Sequence, residues 1–573
     1  AQQKMIASQH TEDELKFRGR TPAALRFGTS GLRGLVEDMT DLEVYVNAAG
    51  FLEFLMDRQQ IKVGDMVCLS GDLRPSTNSP DRSIMRAVVR AIHDTGLVTC
   101  YLGRLPTPAL TYFAVKRHQA SIMVTGSHIP FDRNGIKFNR PQGEILKSDE
   151  SAILSSVLQV RQIQYAMGED QSIFDDEGWL KPESVLELPD SESAAHDAYL
   201  KRFTDFFPSG FLKGKKLLVY QHSAVGRDML VELLKSFGAQ VFTEGRSDTF
   251  VPIDTEDISN ERLNQLQSFV EAKTENGIRL DAVISTDGDS DRPLVCGVDG
   301  WGRLQLINGD LLGLLVADFL KVQDVVVPVS SNDAVDQHLA VKGIQPFKTQ
   351  IGSPHVIQTM DAVHRDKSRP VVGWEANGGF MVGSELTFDG RKLSPLATRD
   401  AFFPILCVLF AALEQKGSIV DLLGKLPARF GKAGLIDQFP QESSRALLQK
   451  WTPDIEGLLD WELREGEAQL RFSSGERRSA TTEEILMIAH LCEEATQYFQ
   501  PDEGFTAIQR MNYIDGVRFY FDNEDIGHIR PSGNAPQLRF YAVANAQLRA
   551  DAMVELALRE PDGLLRSMES ELA

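Results

Sequence analysis

The chain is expected to be an α/β protein: three related mixed α/β domains plus a C-terminal α+β domain around a central cleft. Three observations point there. At 573 residues the chain is too long for one hydrophobic core. An apolar, strand-like run ends in a loop of small and polar residues three times, at TGSH (125–128), DGDSDR (287–292) and WEANGG (374–379). The rhythm of strands and helices then stops near residue 430, where shorter and more polar segments begin. The expected boundaries are 1–190, 191–305, 306–428 and 429–573, with each of the first three domains offering one loop to a shared cleft.

Along the chain, Met66-Val-Cys-Leu, a helical stretch over Ser83–Thr95, Val98–Leu102 and the run before Ser127 form a β–α–β series. Acidic, irregular sequence over 160–195 suits a surface excursion and a boundary near 190. A second series follows: a helix over Ala195–Phe207, Lys216–Tyr220, a helix from Asp228 to Phe237 stopped by Gly238, Gln240–Phe242, and the strand Leu280–Thr286. The third contains the helix Gly309–Leu320, the strand Val325–Val329 and the strand Pro370–Gly373. Beyond 430, Val517–Phe521 and the strand beginning at Leu538 read as a pair of strands.

Composition excludes several classes. The chain is 42% hydrophobic and 25% charged, as in an ordinary soluble protein. No apolar run approaches the ~20 residues a membrane span needs, and the N-terminus lacks a signal-peptide core, so a cytoplasmic location is expected. The net charge of -21 argues against nucleic acid or an anionic membrane as partner. An anionic substrate would need local arginines and lysines to attract it. Cys68, Cys100, Cys296, Cys407 and Cys492 are scattered without a CxxC pair, which suits free thiols in a reducing compartment. No signal of an oligomeric state is present.

The loops carry the chemistry. In Thr125-Gly-Ser127-His128 a hydroxyl sits beside an imidazole at a strand's C-terminal end, and Asn134-Gly135 would turn Lys137 back towards it. An activated serine nucleophile and an ordinary polar turn both fit this stretch. Phe27-Gly-Thr-Ser-Gly-Leu-Arg33-Gly34 can aim backbone N–H groups and a guanidinium at a phosphate, although many glycine-rich turns bind nothing. Asp287, Asp289 and Asp291 place three carboxylates at alternate positions, the donor set a hard divalent cation takes. An EF-hand is rejected, because Arg292 stands at its glycine position and Val298 at its final glutamate. Three ligands leave the shell open to water or a phosphate oxygen, which favours Mg²⁺. Glu375 and Asn377 offer an acceptor and an amide to sugar hydroxyls, or simply cap a helix. Arg530, Ser532, Gly533, Asn534 and Arg539 fit a phosphate clamp or a plain hairpin turn.

FGTSGLRG, TGSHIPFDRNGIKF, DGDSDR, GWEANGG and RPSGNAP, in this order, resemble the signatures of the α-D-phosphohexomutase family, the phosphoglucomutases and phosphomannomutases. The resemblance spans essentially the whole chain. It implies Ser127 as phosphoserine with His128 as its loop partner, and Arg33 and Lys137 assisting proton transfer and stabilising the moving phosphoryl group. It also implies one Mg²⁺ on Asp287, Asp289, Asp291 and the Ser127 phosphate. Glu375 and Asn377 would read the sugar, with Arg292, Gly352 and His355 as further substrate contacts, and the RPSGN loop with Arg539 would grip the existing phosphate. Gly126, Ile129 and Asn534 depart from the family pattern; these changes spare the nucleophile and the metal ligands and bear on sugar choice.

The implied reaction moves a phosphoryl group between the two ends of a hexose, through a hexose 1,6-bisphosphate that also acts as activator. One phosphoserine and one clamp cannot reach both ends of the sugar in a single pose, so the bisphosphate must turn over within the site. Mannose is the expected sugar, with glucose or glucosamine as alternatives, the partner being a small phosphosugar. A phosphosugar phosphatase is disfavoured by the intact FGTSGLRG and RPSGNAP loops, and a silent paralogue by retention of Ser127 and all three aspartates.

Overall fold

Parallel strands need crossover connections, and the helical stretches between the apolar runs supply them. In a computed structural model covering residues 15–21, 23–28, 31–80, 82–464, 467–531 and 536–572, strand Met66–Gly71 lies parallel to both Val98–Tyr101 and Ala120–Val124. After Val124 the chain reverses: Arg133–Arg140 runs back antiparallel to Ala120–Val124 and pairs on its other edge with Leu32–Leu35. The second sheet repeats the plan. Lys216–Tyr220 is parallel to Gln240–Glu244 and to Ala282–Thr286, and Pro293–Val298 then returns antiparallel to the last of these. In the third, Asp324–Pro328 is parallel to Val371–Trp374, followed by antiparallel Phe380–Val382 and Leu396–Asp400.

Each polar loop therefore occupies the same topological place, between the C-terminal end of a parallel strand and the antiparallel strand that follows it. Strands Ala120–Val124, Ala282–Thr286 and Val371–Trp374 are buried at every position, so they read as continuous apolar runs rather than alternating ones. The expected α/β architecture is present, with the helices Ala194–Thr204, Arg227–Ser236 and Gly309–Leu320 close to their expected spans.

The described residues up to Val326, together with Gly352–Leu423, form one compact unit, and Val327–Ile351 with Gly424 onwards form a second. The second unit is an eight-stranded antiparallel sheet in the order Phe430–Ile436, Leu538–Ala544, Ile526–Pro531, Val517–Phe521, Ile508–Asn512, Leu458–Arg464, Glu467–Phe472, Arg477–Ser479. Trp461, Leu470, Met511 and Phe519 from four of these strands enter its core with Trp451 of the helix Gln441–Trp451. The strands Val517–Phe521 and Leu538–Ala544, read from sequence as a pair, are separated by Ile526–Pro531. That segment ends in Pro531, whose missing N–H a strand tolerates at its terminus.

Cys68, Cys100, Cys296 and Cys407 are buried, Cys492 is half-buried, and all five are free thiols. Among the described residues no helix is long and apolar enough to cross a membrane.

Candidate active site

Ser127 is buried and its backbone is left-handed, with φ +54°, a conformation a non-glycine residue holds only when its surroundings impose it. Two residues at the end of strand Met66–Gly71 do so. Arg74 donates to the carbonyls of Ser127 (3.2 Å), Ile129 (2.6 Å), Pro130 (2.7 Å) and Arg133 (2.9 Å). Its remaining N–H meets Asp72 Oδ2 at 3.2 Å, and its guanidinium lies 3.9 Å over the Phe250 ring. Asp72 accepts in turn from the Thr125 hydroxyl at 2.7 Å, and that hydroxyl caps the Ser127 N–H at 2.8 Å. One buried ion pair thus shapes the whole serine loop.

The aspartate loop meets it directly. Ser127 Oγ donates to Asp287 Oδ2 at 2.8 Å, and His128 Nδ1 lies 3.3 Å from Ser127 Oγ. The approach is close enough to demand a glycine: a Cβ on Gly288 would stand 2.5 Å from the Ser127 carbonyl oxygen. Asp287, Asp289 and Asp291 are fully buried, with ligand-capable oxygens all within 4.8 Å of one another.

Two observations test whether the three acids suit a cation. Asp289 Oδ1 and Asp291 Oδ1 are buried without a hydrogen-bond partner. An internal cation already lies against their other oxygens: Lys137 Nζ is 2.6 Å from Asp289 Oδ2 and 2.8 Å from Asp291 Oδ2. The donor set fits a hard divalent ion such as Mg²⁺.

The charges around this centre are strongly perturbed. Burial, reinforced by Asp289 and Asp291, pushes the Asp287 carboxyl well above its usual range. Burial acts the same way on Asp291, but Arg399, Lys137 and Arg292 outweigh it and hold that carboxyl low. Lys137 stays cationic because Asp289 and Asp291 outweigh its desolvation. His128 is driven towards its neutral form by burial and by Arg292, Arg33 and Arg399. Arg33, on strand Leu32–Leu35 opposite Gly135, is lowered to about 10 by burial and by Arg292 and Arg399. Arg292 keeps its Nε buried without a hydrogen-bond partner, 3.9 Å from both Asp287 and Asp291.

The third loop is tied to the second through a residue the sequence did not flag. Arg399, fully buried, donates through Nε to Asp291 Oδ2 and through Nη1 to Glu375 Oε2, each at 3.0 Å. Asn377 uses its side-chain oxygen to accept the Gly379 N–H at 2.9 Å, closing its own loop. Gly352, at φ +127°, precedes the helix Ser353–Lys367, and the His355 N–H bonds back to its carbonyl.

The structure thus gathers Ser127, His128, Lys137, Arg33, Asp287, Asp289, Asp291, Arg292 and Glu375 around one polar centre. Arg530 and Arg539 belong to the second unit, where they stand opposite each other on neighbouring strands, with Arg530 Nε 3.1 Å from Asp515. Ser532, Gly533 and Asn534 lie outside the described residues.

Sequence reasoning passed over Arg74, Thr107 and Arg399. Thr107 donates its hydroxyl to Asp289 Oδ2 and its N–H to the Asp289 carbonyl at 3.0 Å. Arg399 did leave a signal, a charged pair with Asp400 inside the stretch 396–412, which is otherwise apolar but for Thr398. Thr107 left none.

Residues 24–164 match the family described as phosphoglucomutase/phosphomannomutase, alpha/beta/alpha domain I, and residues 308–430 match its alpha/beta/alpha domain III. A phosphomannomutase of Salmonella muenchen is 36% identical over 94% of this chain and 95% of its own length. A phosphomannomutase of Sinorhizobium fredii is 35% identical over 91% and 95%. The crystal structure of a phosphoglucomutase/phosphomannomutase family protein from Burkholderia thailandensis shares the fold, with a TM-score of 0.62 at 17% identity over 95% of this chain and 97% of that one. Two domain matches, relatives of this similarity along nearly the full length, and one polar centre built from the three corresponding loops lead to a single statement: the chain belongs to the phosphoglucomutase/phosphomannomutase family and is an isomerase-type phosphotransferase.

Proposed function

We propose that the protein interconverts hexose 1-phosphate and hexose 6-phosphate, with mannose preferred and glucose the alternative, through phosphorylated Ser127 and a hexose 1,6-bisphosphate. The observation that carries this reading is the Ser127 hydroxyl, buried, held in a left-handed loop and hydrogen-bonded to Asp287 at 2.8 Å. The names of the two phosphomannomutase relatives support the choice of mannose.

In the forward half-reaction the phosphoryl group leaves Ser127 Oγ for a free sugar hydroxyl, whose proton is lost as the new P–O bond forms, and Ser127 Oγ takes up a proton as its own P–O bond breaks. In the return half-reaction Ser127 Oγ attacks the other phosphate of the turned bisphosphate and gives up its own proton, while the bond from that phosphorus to the sugar oxygen breaks and the departing oxygen takes up a proton to become a hydroxyl. His128 Nδ1, 3.3 Å from Oγ, is within reach of that proton. Arg292, with a buried N–H lacking an acceptor, and Arg33 bind phosphoryl oxygens. Lys137, held cationic, stabilises developing charge. Asp287, Asp289 and Asp291 would hold Mg²⁺, which supplies positive charge against the phosphoryl oxygens. Glu375, oriented by Arg399, and Asn377 read sugar hydroxyls, with Gly352 and His355 beside the substrate. Arg530, Ser532, Gly533, Asn534 and Arg539 grip the phosphate that is not in transit. The four-domain division at 190, 305 and 428 is supported by the domain I and domain III matches.

The test is twofold. Peptide mapping by mass spectrometry after incubation with mannose 1,6-bisphosphate is expected to find phosphate on Ser127. Assays with mannose 1-phosphate and glucose 1-phosphate, each with a trace of its bisphosphate, are expected to favour mannose. Stoichiometric release of inorganic phosphate without isomerisation would overturn the reading.

A further inference from the structure

In the second unit, on the sheet face opposite the hydrophobic core, lies a cavity of about 210 Å³ lined by Asp460, Glu462, Arg464, Arg471, Arg477 and Arg510. The alternation of the strands sets this face. Trp461, Leu470 and Met511 point into the core, so their neighbours Asp460, Glu462, Arg471 and Arg510 point the other way.

Charge balance is the notable feature, in a chain whose net charge is -21. Four guanidiniums face two carboxylates. Arg471 and Arg510 both bond to a single oxygen, Asp460 Oδ2, the second at 2.9 Å. Each of these arginines also keeps a buried Nε–H with no acceptor. Arg464 is paired with Glu462 at 2.8 Å. Arg477 stands directly across the strand pair from Arg471, and among the described residues it has no ion-pair partner. Like charges placed opposite each other on neighbouring strands repel. A guest that accepts several N–H bonds and carries two negative charges would relieve that repulsion and fill the orphaned donors together. The volume falls below the ~300–1,000 Å³ of drug-sized sites, which restricts the guest to a small anion.

We propose that this cavity is a binding site for a phosphoryl dianion, either free phosphate or the phosphate of a small metabolite. It shares no residue with the polar centre around Ser127, and it stands whether or not the mutase reading does.

Titration calorimetry on the full chain tests it, with inorganic phosphate in one arm and glucose 6-phosphate in the other. The wild-type protein is expected to show a phosphate-class site that Arg477→Gln weakens at least about tenfold and that Arg477→Lys largely restores. Weakening in the inorganic phosphate arm alone assigns the site to free phosphate, and weakening in both arms extends it to phosphorylated metabolites. Turnover at saturating substrate is expected to be unchanged in Arg477→Gln, which separates this site from the catalytic one. Equal number and affinity of sites in wild-type and Arg477→Gln protein, in both arms, overturns the proposal.

Discussion

Ser127 Oγ and Asp287 Oδ2 stand 2.8 Å apart, so a hydroxyl of the first sheet is bonded directly to a carboxylate of the second. Two loops from separate sheets are thereby fixed as one reacting centre. Ser127→Ala removes the hydroxyl alone. Mutase turnover is expected to fall at least about a thousandfold, measured by coupled assay, with no phosphate recovered on the peptide containing residue 127. Unchanged turnover would remove the serine from the mechanism.

Gly288 tests how closely the loops must approach. A methyl group there would meet the Ser127 carbonyl oxygen at 2.5 Å, and backbone cannot swing aside as a side-chain tip can. Gly288→Ala is expected to cost about 1–3 kcal/mol of stability, read by denaturant unfolding, and to lower kcat more than tenfold through misplacement of Ser127, about the scale that small displacements reach.

Arg74 probes support at a distance. Its hydrogen bonds to the serine loop go to four carbonyls, and it shares burial with Asp72. Arg74→Ala leaves a buried carboxylate without its partner, and a loss of about 3–5 kcal/mol is expected. Arg74→Lys keeps the charge but not the fork of donors. Its kcat is expected to fall while its melting temperature lies between wild type and Arg74→Ala.

Removing divalent cations with EDTA is expected to abolish turnover, and added Mg²⁺ to restore it. Asp289→Asn is expected to raise the Mg²⁺ concentration for half-maximal activity by about tenfold or more. Turnover that persists through exhaustive chelation would contradict the proposed cation site.

A pH dependence of stability follows from His222, a fully buried ring whose Nε2 lies 2.7 Å from the Thr286 carbonyl oxygen. Burial lowers it from 6.5 to about 4, against the opposing pull of that carbonyl. Above 6.5 the ring is neutral in both folded and unfolded chains, and it contributes nothing to the pH dependence. As pH falls through 6.5 the unfolded chain takes up the proton while the folded one does not, so stability declines until about pH 4. At pH 5 the loss is about 2 kcal/mol. Chemical denaturation of His222→Gln is expected to show a flatter acid limb; an identical limb would exclude this origin.

Much of this was legible in the sequence, for physical reasons that differ by element. The three loops stood out because continuous apolar strands end abruptly in small polar residues, and Asp287, Asp289 and Asp291 because carboxylates at alternate positions repel unless something positive joins them. Lys137 was expected near the serine through a turn at Asn134-Gly135, but both residues lie within the strand Arg133–Arg140, which itself runs back beside the serine's strand. Its bridge between Asp289 and Asp291 depends on the second sheet meeting the first. Arg399 depends on a third sheet in the same way, since its partners are 108 and 24 residues away in the chain. Gly126 has a local cause: a Cβ there would lie 2.6 Å from the Arg74 guanidinium carbon. The Val517–Phe521 pairing was misread because a strand ending in proline between two stronger strands resembles a loop.

Lys137 bears on how such an enzyme is made. Small domains organised by a structural metal often stay unfolded until it arrives, because their ligands repel or lie unsatisfied. Here an ammonium of the chain's own sits between two of the acids, and a guanidinium braces one of them from behind. A newly synthesised chain is therefore expected to bring its sheets together before any ion is at hand. Magnesium starvation would then leave a reserve of intact, idle protein that returns to work when the ion does, rather than a pool of unfolded chains open to proteolysis.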